Sequence, residues 1–203
     1  ALAGRLDRIE TLVRDGVRMM TLTWNGENEI ASGNVTDHGL SPFGREAVRE
    51  LERQGIVVDV SHLNDHSFED LLKVAKKPFA ASHSNARAVC GHKRNLTDEQ
   101  IREMVKRNCL IGLNYCQDFL RAGDRPATLD DLYRHVEHFL ELGAERCLAL
   151  GSDADGTDVP PGLDSPERFA GLYQYFLDRG LSSAQAEGIL WKNALDFLKN
   201  TIF

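Results

Sequence analysis

Two histidines and an aspartate stand where short apolar segments run out. Ile56-Val57-Val58-Asp59-Val60 leads into Ser61-His62, Pro78-Phe79-Ala80-Ala81 into Ser82-His83, and Cys147-Leu148-Ala149-Leu150-Gly151 into Ser152-Asp153. Neutral imidazole nitrogen is a good ligand for zinc and similar divalent ions. A carboxylate at the opposite lip of a crevice can take a proton from a metal-bound water. The metal lowers the pKa of that water from 15.7 to about 7. At ~1.4 kcal/mol per unit this is roughly 12 kcal/mol, far more than one hydrogen bond supplies. A lone histidine after a strand is more often a packed structural residue. Two at successive strand ends, with an acid at a third, shift the balance toward chemistry.

Other polar residues have weaker claims. Arg94, in His92-Lys93-Arg94-Asn95, could grip a substrate carboxylate bidentately or lie solvated. Trp24, at the end of an earlier apolar run, could be a pocket wall or core. Gly151-Ser152-Asp153-Ala154-Asp155-Gly156 could be a helix cap or a solvated turn, and it lacks the downstream ligands of a calcium loop. His38 and His92 fall in loops and His66 near a helix start. His135 and His138, three apart on a helix, are read as surface or packing residues.

The elements that must position these groups follow from the pattern. Leu2, Leu6, Ile9 and Val13 recur at helical spacing before Gly16. Strands are expected over 17–23, 56–60, 78–81, 110–114 and 147–151. Helices are expected from Ser41-Pro42 to about 54, over 65–76, from the Thr97–Gln100 capping box to 107, over 128–142, near 166–179 and over 183–199. A long Gly- and Asn-rich loop covers 25–40. Alternating short strands and helices predict a parallel sheet with helical crossovers. An open doubly wound sheet and a (β/α)8 barrel both fit. No G-x-G-x-x-G follows a strand, so a dinucleotide site has no support. A full barrel typically takes ~250 residues, and five strands supply only part of one.

Composition sets the outer bounds. The 203 residues are 42% hydrophobic and 27% charged, as in an ordinary globular chain. The 31 acidic and 24 basic residues give a formal net charge of −7, which makes nucleic acid an unlikely partner. No apolar run is long enough for a membrane span. Cys90, Cys109, Cys116 and Cys147 form no C-x-x-C pair and are read as reduced core thiols. The first residues, ALAGRLDRIE, lack a signal-peptide pattern and open mid-pattern, as if inside a helix. A cytoplasmic location is expected.

Six segments together resemble the membrane (renal) dipeptidase family of zinc peptidases. In order they are GVRMMTLTWN (16–25), GLSPFG (39–44), VDVSH (58–62), ASHSNAR (81–87), KRNLTD (93–98) and GSDADG (151–156). The interval between His62 and His83 also fits the family pattern. The resemblance implies a (β/α)8 TIM-type barrel with two zinc ions. This chain would be a single domain, 1–203, covering the last five strand–helix units, about the C-terminal two-thirds. It further implies His62 and His83 as ligands of one zinc, Asp153 as the acid/base, and Arg94 as the reader of the substrate carboxylate. Trp24 stands where better-known members carry a substrate-binding histidine, and Phe119 where some carry a pocket tyrosine. Both are therefore assigned to substrate binding. The family's His-x-Asp pair, which binds the other zinc, and its bridging glutamate do not occur in these residues. By alignment they are expected before Ala1.

The expected activity is hydrolysis of dipeptides. A non-catalytic or partner-completed binding domain on the same scaffold is the alternative. A third reading, hydrolysis of a cyclic amide or lactone, would leave Arg94 without a carboxylate to read. An open barrel would expose strand edges and apolar helix faces, so a homo-oligomer is also expected.

Overall fold

Gly16, at φ 88°, ends helix α1 (Arg8–Arg14) and turns the chain into strand β1 (Met19–Thr21). Only a residue without Cβ takes that left-handed turn cheaply. The computed structural model describes residues 2–202, apart from the Pro166 side chain. It divides into two compact units, Ala1–Ala81 with Leu198–Phe203, and Ser82–Phe197.

The first unit continues through α2 (Pro42–Arg53), β2 (Val57–Asp59), α3 (Asp65–Val74) and β3 (Ala80–Ala81). Its strands are parallel: Met19 pairs with Val57, Thr21 with Asp59, and Asp59 with Ala80. The Ser41 hydroxyl accepts from Gly44 N at 2.8 Å, with Pro42 in the first turn, so α2 starts where the sequence places it. Asn64 caps α3 by accepting from Ser67 N at 2.8 Å, and its Nδ2 donates to the Thr36 and His38 carbonyls. One side chain thus starts a helix and fastens the long loop after β1. Val48, Leu51, Val58, Leu71 and Phe79 fill the core, with Phe68 edge-on to Phe79 at 5.9 Å. Each such side chain contributes about 1.5–3 kcal/mol on burial.

The second unit holds α4 (Asp98–Lys106), β4 (Leu110–Asn114), α5 (Gln117–Leu120), α6 (Leu129–Glu141), β5 (Leu148–Ser152), α7 (Pro166–Asp178), α8 (Ser183–Glu187) and α9 (Asn193–Thr201), whose last turn falls in the first unit. The Thr97–Gln100 capping box forms as expected. β4 and β5 run parallel, Ile111 against Leu148 and Gly112 against Ala149, until a shift in register between Leu113 and Asn114. Gly112 and Gly151 allow close backbone approach there. A Cβ on either would collide with the Ser82 carbonyl oxygen.

Several elements differ from expectation, and β1 and β3 are shorter than the 17–23 and 78–81 expected. Ala3 and Gly4 take positive φ, so α1 starts at Arg8 rather than at Leu2. The helix expected over 183–199 is interrupted by a π-helical turn, Gly188–Lys192. That turn lets Asn193 Nδ2 donate to the Glu145 and Leu148 carbonyls, both at 2.8 Å. Helix α5 lies between the expected strand 110–114 and helix 128–142, where the sequence pattern predicts no element. It is a single turn, too short to leave a periodic signature.

Candidate active site

In the first unit, His62 follows β2 with φ 76°. A non-glycine residue there costs roughly 1–2 kcal/mol, and such strain concentrates at functional sites. The strained backbone is held by Asn34 N, which donates to His62 O at 3.0 Å. The His62 Nδ1 lies 3.0 Å from Asn25 Oδ1. That contact makes Nδ1 the protonated nitrogen and leaves the ring lone pair on Nε2, the tautomer that suits a metal ligand. Trp24 is 72% exposed, its ring 6.3 Å from that of His62. The choice between core and pocket wall goes against core.

In the second unit, half-buried His83 follows Ser82, whose Oγ lies 2.7 Å from His83 Nδ1. Ser152, the last residue of β5, and Asp153 after it take φ of 56° and 73°. Asn114, at the end of β4, ties these two strand ends together. Its Nδ2 donates to Asp153 Oδ2 at 3.0 Å and reaches the His83 carbonyl at 3.4 Å. Its Oδ1 accepts from Cys116 N at 2.6 Å.

Arg94 is 5% exposed, and its guanidinium carbon lies 5.4 Å from the centre of the Phe119 ring. The His92 ring is 4.5 Å from the same ring. Arg94 N donates to His92 Nδ1 at 3.1 Å. Burial, and then the Arg94 charge, push the His92 pKa down, which favours the neutral ring that accepts this bond. A guanidinium held over an aromatic face stays charged and presents a planar fork suited to a carboxylate.

The structure therefore brings together Trp24, Asn25 and His62 in one unit. In the other it brings together His83, Asn114 and Asp153, and likewise Arg94, His92 and Phe119. Among the described residues no group of three or more His, Cys, Asp and Glu is placed to hold a metal ion. A catalytic zinc commonly has three protein ligands. The two imidazoles fit as donors, each with its Nδ1 hydrogen-bonded, and the remaining donors are not gathered here. Sequence reasoning passed over Asn25 and Asn114. The available signal was the place of Asn114 as the polar residue ending β4 and of Asn25 in the loop shortly after β1.

Residues 1–202 match the model of the membrane dipeptidase family, peptidase family M19. The chain belongs to that family. An uncharacterized dipeptidase of Schizosaccharomyces pombe is 34% identical over 195 residues, covering 92% of this chain and 47% of its own length. The crystal structure of a metallopeptidase from Rhodobacter sphaeroides, with a phosphinate mimic of the dipeptide L-Ala-D-Ala, matches with TM-score 0.92 and 28% identity. The match covers 98% of this chain and 60% of that one. A family M19 dipeptidase structure matches at TM-score 0.93 and 28% identity, over 98% of this chain and 62% of that one. This family member spans about half the length of the first curated relatives. Its fold is α/β, five parallel strands with helical crossovers, of the TIM-barrel type of the family. Among the described residues no helix is long and apolar enough to cross a membrane.

Proposed function

We propose that the protein carrying this chain hydrolyses dipeptides with the help of bound zinc, this chain supplying His62, His83, Asp153 and Arg94. The observation that carries the reading is the Asn114 link, which holds the Asp153 carboxylate beside the His83 strand end in a chain of the dipeptidase family. Zinc, when bound, polarises the scissile carbonyl and activates water. His62 and His83 would hold it through Nε2. The other family ligands, the His-x-Asp pair and the glutamate, would have to join them.

Asp153 Oδ2 is engaged by Asn114, so Oδ1 is the oxygen that takes the proton of the attacking water and delivers it to the departing amine. Arg94 reads the free carboxylate of the C-terminal residue, which limits substrates to very short peptides. Phe119 packs beside that carboxylate, and Trp24 forms an apolar wall. The four cysteines are buried and form no disulfide among the described residues, which supports a reducing, cytoplasmic setting. Association between copies belongs to the same proposal.

The test is amino-acid release from a panel of dipeptides. Release that a chelator abolishes and Zn²⁺ restores is expected, and release indifferent to chelation would overturn the reading. The second reading, a binding domain without catalysis, is favoured by the lack of a His-x-Asp pair in these residues. Metal content separates the two, since less than about one tightly bound metal per chain supports the binding domain.

A further inference from the structure

Arg94 and Phe119 belong to different segments, the loop before α4 and the short helix α5. Two side chains outside the proposed catalytic set join them. Asn95 is 1% exposed, and its Nδ2 donates to the Cys90 and Phe119 carbonyls, both at 2.9 Å. One amide thus spans the Arg94 loop and the Phe119 backbone. Its Oδ1 is buried without a hydrogen-bond partner. Such burial costs about 1–3 kcal/mol. Turning the amide over would set that oxygen against two carbonyls, which fixes its orientation.

His135, on α6, is fully buried. Its Nδ1 accepts from Ala86 N at 3.1 Å, and its Nε2 donates to Leu120 O at 3.0 Å. Only one tautomer of the neutral ring both accepts at Nδ1 and donates at Nε2. His135 therefore grips the start of the Arg94 loop and the residue next to Phe119. Burial lowers its pKa to about 4, which keeps the ring in that neutral form.

We propose that Asn95 and His135 are positioning residues that set the distance between the Arg94 guanidinium and the Phe119 ring, and so the fit of the substrate's C-terminal residue. The inference rests on the reading of Arg94 as the carboxylate clamp. Neither side chain touches substrate. Each acts by holding the two backbone segments in register.

The test uses the full-length protein that carries this chain and three substitutions. Asn95→Asp removes the double donor at nearly constant size. His135→Asn keeps an acceptor near Nδ1 and loses the donor to Leu120. His135→Gln keeps a donor near Nε2. Two readouts are taken below each variant's melting temperature. One is kcat and KM for dipeptides with Zn²⁺ supplied. The other is labelling of Arg94 by phenylglyoxal, followed by peptide mass spectrometry.

Asn95→Asp and His135→Asn should raise KM about tenfold with kcat within about threefold, while His135→Gln stays near the parent KM. Arg94 labelling should quicken about fivefold or more in the first two, because a loosened loop exposes a buried guanidinium. Unchanged labelling in both would overturn the proposal, as would a fall in kcat with KM constant. If the parent hydrolyses no dipeptide, the dipeptidase reading fails and the labelling alone decides the positioning role.

Discussion

The Asn114 amide donates to Asp153 Oδ2 at 3.0 Å, joining the ends of two adjacent parallel strands through one side chain. Asp153 sits at φ 73°, a conformation that needs outside support. Asn114 supplies part of it, being itself fully buried and fixed by its Oδ1 contact to Cys116 N. Asn114→Ala should free the carboxylate to rotate. Misplacing a reacting group by about 1 Å can cost ~100-fold in rate. We expect kcat for dipeptides to fall about 10- to 100-fold with KM within about threefold. An unchanged kcat would remove Asn114 from the positioning of Asp153.

Arg94 is buried against Phe119 and carries a permanent positive charge. Arg94→Met keeps the length and removes the fork. A hydrogen bond to a charged group contributes about 2 kcal/mol. KM for dipeptides should therefore rise about 30-fold, with much less change in kcat. Dipeptides whose C-terminus is amidated should not distinguish the variant from the parent. Equal KM values on free-acid dipeptides would favour hydrolysis of a neutral cyclic substrate instead.

His135 should make the stability of the chain depend on pH. Burial, the largest influence, lowers its pKa to about 4 from an ordinary value near 6.5. The unfolded chain then binds the proton more readily than the folded one between those values. Its contribution is fully present above pH ~6.5, falls as the pH drops toward 4, and levels off below that. The whole effect is on the order of 3 kcal/mol. The melting temperature measured from pH 7 to pH 4.5 should drop more steeply in the parent than in His135→Gln. Parallel curves would show that His135 does not carry the effect.

Gly112 and Gly151 face one another across β4 and β5, beside the Ser82 carbonyl. A methyl group at Gly112 meets backbone that cannot swing aside. Gly112→Ala should destabilise the chain by about 3 kcal/mol, the upper end for overpacking. Denaturant unfolding is the measurement, and the midpoint should fall with an unchanged slope. A loss below about 0.5 kcal/mol would mean that the strands separate easily at this point.

Much of this molecule could be read from the sequence because its elements carry local signals. Strand β4 occupies Leu110–Asn114 as expected, since a short apolar run between a helix end and a polar turn has few other solutions. Helices α2 and α4 begin at Ser41 and Thr97 because their caps are written next to the helix. The six ordered segments also placed the chain in its family, which the match over residues 1–202 shows.

The supporting contacts were not legible. Asn95 reaches Phe119, Ala86 reaches His135, and Asn114 reaches Asp153, pairs far apart along the chain. Local pattern holds no record of such partners. An asparagine in a loop and a histidine on a helix look the same whether solvated or buried. Residue type and order determined which groups could do chemistry and on what kind of scaffold. Packing decided which tautomer, which amide face and which strained backbone hold them, because those choices depend on neighbours that only folding brings within hydrogen-bond distance.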